Sequence, residues 1–175
     1  MASPRVDRQT VDLAAFPDLV VIYLGMKVRT LAGIKTLIGF GPQIDKAGAG
    51  RPEGLLHFEN GIIFGLFPLN IGMRWYWKDF AAMESWARSE PHRAWWRQFL
   101  RDSGGTGFWH ETYFMRGGME AVYDDMSGPA LGFQAFAPGV PSRGGMFSAR
   151  NRLHMAGETP AQPADVTEAD LYRQP

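Results

Sequence analysis

The sequence predicts an α+β fold, with two helices lying on one face of a four-stranded antiparallel sheet. Three observations carry the prediction. Short runs rich in β-branched and aromatic residues recur at "DLVVIYLGMKV", "LLHFENGIIFGLF", "MRWYWK" and "GFWHETYFMR". Two intervening segments place apolar residues at helical rather than strand spacing. The resulting order, strand, helix, strand, strand, helix, strand, is the ferredoxin-like split βαβ pattern, in which right-handed crossovers put both helices on the same side.

The first strand is expected over 18–28, too short and too β-prone for a buried helix. The next segment, "RTLAGIKTLIGFGPQI", sets Leu31, Ile34, Leu37 and Ile38 on one helical face and is expected to stop at Gly39, Gly41 and Pro42. The second strand follows "GAGRPEG" and is expected to be broken by the Asn60-Gly61 turn signal. The third is expected over 73–78. A long amphipathic helix follows across 79–105, with Asp79 as N-cap and a kink, or a restart capped by Ser89, before Pro91. Strand four spans 107–116, and "MEAVYDDM" after Gly117-Gly118 returns as a short fifth strand. These elements divide the chain into an N-terminal arm (1–17), an α+β domain (18–130) and a Gly- and Pro-rich C-terminal extension with a tail (131–175).

Composition narrows the function. Eighteen basic side chains balance eighteen acidic ones, so the cationic field that nucleic acid or an anionic membrane demands is missing. There is no cysteine, hence no disulfide, thiolate nucleophile or zinc ribbon. No secretory leader pattern and no run near the roughly 20 apolar residues of a spanning helix are read, so a soluble cytoplasmic protein is expected. "GFGPQIDKAGAG" fits neither a phosphate loop nor a dinucleotide fingerprint. Asp124-Asp125 near Glu120 would bind a cation or simply be solvated. Arg143, Arg150 and Arg152 would clamp a carboxylate or solubilise a loop, and no metal site is expected.

Strand parity sorts the reactive residues, because alternate side chains share a face. Val20, Ile22, Leu24 and Met26 form an apolar row expected under the helices. Tyr23, His57, Glu59, Arg74 and Tyr76 fall together on the other face and are expected to converge on one pocket, or else to form a wet outer surface. Trp109, Glu111 and Tyr113 join that face, whereas Phe108, His110, Thr112 and Phe114 point the opposite way, so His110 and Glu111 cannot both reach one cavity. Only a bulge at Gly107 would reverse this. On the long helix His92, Trp96 and Phe99 share a face, with Trp95 adjoining. His92 would meet His110 as a core pair or an acid/base relay, or one of the two would ligate a haem walled by the aromatic stripe. A sheet with helices on one side hides its other face by pairing, so a homodimer enclosing a barrel pocket is expected.

The stretches "VVIYLGMKV", "WYWKDFAAMESWARSEPHRAWWRQF" and "GFWHETYFMRGGMEAVYDDM" resemble a family of small monooxygenase-like proteins with a named member in the fungal fumagillin pathway. More distantly, they are similar to the antibiotic-biosynthesis monooxygenases of the dimeric α+β-barrel superfamily. The resemblance covers about 18–130 and is carried by Tyr76-Trp77, His92 with Trp96 and Phe99, and His110-Glu111-Thr112-Tyr113 followed by Glu120, Tyr123 and Met126. Where that family continues with a proline pair, this chain has Ser127-Gly128-Pro129. The resemblance implies an enzyme that oxidises a small, largely apolar natural-product intermediate, in some relatives without any flavin or metal, using Glu111 or His110 as base and Arg74 or Tyr76 to hold developing negative charge. Trp109 and Tyr113 would form the walls, with Tyr23, His57, Glu59 and Trp96 as further substrate contacts. A cyclase, an isomerase, a haem-dependent dehydratase and a non-catalytic hydrophobic-metabolite binder are the alternatives.

Overall fold

The computed structural model describes residues 6–115, 118–126, 129–130, 132–149 and 151–152. Two compact units emerge, Asp18–Phe114 and the combination of Met1–Pro17 with Met115–Pro175.

The Asp18–Phe114 unit contains, in chain order, β2 (Val20–Val28), α1 (Leu31–Ala49), β3 (Leu55–Leu66), β4 (Leu69–Trp77), α2 (Phe80–Arg88), α3 (His92–Arg101) and β5 (Thr106–Phe114); a short strand β1 (Arg8–Val11) precedes it in the other unit. Its four strands form one antiparallel sheet in the order β3-β4-β2-β5, the ferredoxin-like order. The β2·β5 register runs without a shift from Val20↔Phe114 to Val28↔Thr106. There is thus no bulge at Gly107, and strand parity holds along β5. Val20, Trp75 and Trp77 are buried and gather Ile22, Ile44, Ala47, Leu55, Phe58, Met73, Met83 and Trp86 around them, which places the apolar rows of β2 and β4 beneath the helices.

Three expectations are corrected. Helix α1 does not stop at Gly39, Gly41 and Pro42 but runs through them to Ala49. The carbonyl that Pro42 leaves without an amide partner is that of Ile38, a residue 70% exposed, where water can satisfy it. Asn60-Gly61 does not turn the chain; β3 continues through it with a register shift between Glu59 and Ile62, and Gly61 at φ +73 supplies the left-handed residue of the bulge. Asn60 is instead held by its side chain, which accepts from Trp75 Nε1 at 3.0 Å and donates to Asp45 at 2.5 Å. The long helix is two helices, and Ser89 does not cap the second: its hydroxyl donates to the Trp86 carbonyl at 2.8 Å, closing α2. The first turn of α3 is satisfied by Glu90, whose carboxylate accepts from the Ala94 N–H at 3.1 Å. Asp79 caps α2 as its position suggests, accepting from the Ala82 N–H at 2.7 Å.

In the other unit β1 lies between β6 (Tyr123–Asp124) and β7 (Gly139–Pro141). "MEAVYDDM" therefore contributes a strand, but to this three-stranded sheet. Thr10 is fully buried and donates to the Ala121 carbonyl at 2.7 Å. Arg152, 5% exposed, pairs with Glu120 at 2.8 Å and donates to the carbonyls of Met146 and Phe147. These bonds anchor the unit. Asp124 pairs with Arg8, and Asp125 accepts the Asp7 N–H. Arg150 and the tail after Arg152 lie outside the described residues. No helix among the described residues is long and apolar enough to cross a membrane.

Candidate functional site

The two faces of the four-stranded sheet present different chemistry. Between the helices and the sheet lies a cavity of about 390 Å³, within the size range of small-molecule sites. Its floor is Ile22, Leu24, Met73 and Trp75, and its roof is Trp86, Trp95, Trp96 and Phe99. The rings interlock: Trp86 sits 4.9 Å from Trp75 and 5.6 Å from Trp77, and Trp96 meets Phe108 at 5.0 Å. In this wall stand two histidines, His92 and His110, with Thr112 beside them.

His92 opens α3 immediately after the Ser89-Glu90-Pro91 break, which turns its ring back toward the last turn of α2. Its Nδ1 lies 2.7 Å from the Ala87 carbonyl. A carbonyl oxygen only accepts, so Nδ1 carries the hydrogen and Nε2 keeps its lone pair. Burial lowers the imidazole's pKa below the ordinary value, opposed by the Ala87 contact, so the ring is neutral at pH 7. Trp86 packs on it at 4.9 Å. His110 is exposed, marks the side on which the cavity meets solvent, and has no hydrogen-bond partner among the described residues.

On the opposite face Arg74 is the hub. Its Nε and Nη2 each lie 2.6 Å from Glu59 Oε2, and Nη1 donates to Tyr23 OH at 2.9 Å. Burial alone would lower the guanidinium's pKa, but the bonds to Tyr23 and Glu59 raise it. Tyr76 OH donates to the same carboxylate at 3.5 Å. His57 Nε2 stands 3.6 Å from Glu59 Oε1, buried and without a hydrogen bond. Desolvation lowers its pKa against the pull of Glu59. Further along this face Tyr113 OH donates to Glu111 at 2.5 Å, which raises the phenol's pKa, and Trp109 Nε1 donates to Asn70 at 3.0 Å. Tyr23, Trp109, Glu111 and Tyr113 line an open depression here.

The sequence-predicted residues therefore part into two groups. Tyr23, His57, Glu59, Arg74 and Tyr76 do meet, but as a network in which every nitrogen of Arg74 already has a partner. Glu111, Trp109 and Tyr113 share their face. His92, His110 and Trp96 line the cavity on the other side, together with Phe40, Ile44, Met83 and Trp86, which sequence reasoning did not place there. Phe40 and Ile44 were hidden by ending α1 too early; the helical spacing of Leu37, Phe40 and Ile44 was the signal available. Among the described residues no cluster of three or more His, Asp or Glu is arranged to hold a metal ion.

The fold is similar to part of aldoxime dehydratase. The structure described as aldoxime dehydratase (OxdRE) in complex with butyraldoxime superposes with a TM-score of 0.66 and 23% identity over 91% of this chain and 46% of that one. A second aldoxime dehydratase gives 0.64 and 21% over 86% and 44%. The chain thus spans under half the length of these proteins. SnoaB, a cofactor-independent oxygenase from Streptomyces nogalater, gives 0.41 and 10% over 55% of this chain and 91% of that one. No curated protein matches the chain. Residues 19–133 match the family described as Monooxygenase af470-like, and the chain belongs to that family.

Proposed function

We propose, with that membership as premise, that the chain is an enzyme whose reaction takes place in the helix-face cavity, where a small, largely apolar substrate is oxidised by molecular oxygen. One observation carries the reading: a neutral imidazole, His92, fixed through Nδ1 and holding a free lone pair at Nε2 inside an aromatic wall. Such a group is a general base in a water-poor site. Nε2 takes the proton of an acidic C–H, and the electron pair left on carbon reduces O₂ as a carbon–oxygen bond forms. The peroxide carbon then loses its remaining hydrogen and the O–O bond breaks, leaving a carbonyl in the product and one water. Thr112 and His110 supply the hydrogen bonds that hold developing oxyanion charge. Glu111, Arg74 and Tyr76 lie across the sheet and support the site through the strands that carry it.

Oxygen uptake with anthrone as the probe carbon acid tests this. One O₂ consumed per anthraquinone, with the enzymatic rate lost in His92→Phe, is expected. A His92→Phe protein with full rate would sink the assignment, and product formed equally fast without oxygen from another substrate would favour a cyclase or isomerase.

The same observation favours a second reading. A half-buried imidazole whose Nδ1–H is held by a carbonyl, with Nε2 free inside an aromatic wall, fits a histidine that would hold a haem. Haem would supply Lewis-acid and redox chemistry when bound. His92 would then bind it through Nε2, leaving His110 to move the proton. A Soret band on the purified protein that His92→Phe removes would establish it. Pairing of two chains through the open sheet face belongs to the proposal as well; Phe64 and Tyr113, both exposed on that face, support it, and sedimentation velocity measures it.

A further inference from the structure

We infer that the cavity continues past Phe40 into a second apolar compartment, so that the substrate carries an extended apolar tail; this rests on the reading of the helix-face cavity as the substrate site. A groove of about 280 Å³ lies on the other side of α1, lined by Ile34, Ile38, Leu69 and Ile71 among others. Met26, Phe40, Ile44 and Met73 line both the groove and the cavity. Of the four shared walls Ile44, β-branched, is held by the core cluster, which leaves Met26, Phe40 and Met73 as the side chains that can shift. Met26 and Met73 are unbranched and repack at little cost. Among the described residues Phe40 makes one ring contact, edge-on to Trp95 at 6.4 Å.

The backbone beneath Phe40 is built to yield. It is flanked by Gly39 and Gly41, where an added Cβ would meet nothing within 4 Å, so packing does not require glycine at either position. Each glycine weakens a helix interior by about 1 kcal/mol relative to alanine, and Pro42 removes the next hydrogen bond of the ladder. The turn carrying the dividing ring is therefore the weakest in α1. The groove offers no charged group except Asp45, whose carboxylate is taken by Asn60. Its occupant is accordingly hydrocarbon, a chain or fused-ring extension of the molecule whose reacting end faces His92.

The test is a series of 4-n-alkylphenols from ethyl to octyl, with affinity read from the fluorescence of the cavity tryptophans. Each methylene moved from water into an apolar site improves affinity about fourfold. The inference expects that gain to persist through octyl in the wild-type protein. In Phe40→Trp, with a larger ring at the shared wall, it should level off at butyl. Ile38→Asp, at an exposed helix position that borders the groove and not the cavity, should weaken octylphenol at least tenfold and leave ethylphenol unchanged. A wild-type series that levels off at butyl, or an octylphenol affinity indifferent to both substitutions, overturns the inference while leaving the cavity reading intact. Failure of ethylphenol itself to bind would remove both.

Discussion

The two faces of the central sheet carry about the same number of aromatic residues and opposite kinds of polar group. Under the helices, the cavity's polar groups are the His92 imidazole within aromatic walls, the Thr112 hydroxyl, and the His110 imidazole at the solvent edge. On the open face, charges are numerous but satisfied by one another: Glu59 spends an oxygen on two Arg74 nitrogens, and Glu111 is taken by Tyr113. The proposed reaction uses groups that keep a lone pair or proton unspent in a site poor in water, and that criterion is what puts the proposal on the quieter face. Abundance of charged side chains is a poor guide to where chemistry occurs.

The sharpest way to break this comparison uses two neighbours on β5 that point to opposite faces. His110→Phe should lower kcat by about 10²-fold, in the range of a lost proton-transfer group, whereas Glu111→Gln should stay within about twofold; steady-state oxygen uptake reads both, and the reverse ranking would move the site across the sheet. Stability should follow the same divide. Trp77→Ala, 1% exposed and packed on Trp75 and Trp86, should cost about 3–5 kcal/mol in urea unfolding. Phe67→Ala, 99% exposed, should change it by less than about 0.5 kcal/mol.

The open-face network gives an intermediate effect. Arg74→Met strands Glu59 beside a hydrophobe and should cost about 2 kcal/mol, less than a fully buried pair because the guanidinium is a quarter exposed. Adding Glu59→Gln should return part of that loss, and a fully additive double variant would show that the pair does not interact. The smallest expected effect is on pH dependence. His92 and His57 both have folded pKa values below the ordinary 6.5. As pH falls below that value the unfolded chain binds protons the native chain does not, so stability declines in acid and levels off below the folded pKa values. The urea midpoint at pH 5.5 should lie below that at pH 7.

Strand parity was legible in the residues because β2, β4 and β5 keep their register from end to end, so alternation alone placed Arg74 with Glu59 and His110 under the helices. The loss came where local propensity was outvoted. Gly39, Gly41 and Pro42 read as a stop, yet Ile44 and Ala47 gain enough by packing on Trp75 and Trp77 to carry the helix past them. Asn60-Gly61 has the composition of a hairpin turn, but the hydrogen bonds of Asn60 to Trp75 and Asp45 use the pair as a bulge. The candidate site residues, His92 and His110 among them, could be named from the sequence, but not which of them keep an unspent lone pair. Polarity drew attention to the face with more charges, and no one-dimensional pattern reveals that those charges neutralise each other. The hydrogen on His92 Nδ1 depends on where the last turn of α2 places one carbonyl, and that is a three-dimensional fact.

The stack of Trp75, Trp77 and Trp86 has a consequence beyond packing. Three indoles whose centres lie 4.9 to 6.1 Å apart at fixed, oblique angles have strongly coupled electronic transitions. The folded protein should therefore carry an exciton couplet in its circular dichroism spectrum, an optical signature of the helix-to-sheet seam that a loosened α2 would erase before the backbone unfolds.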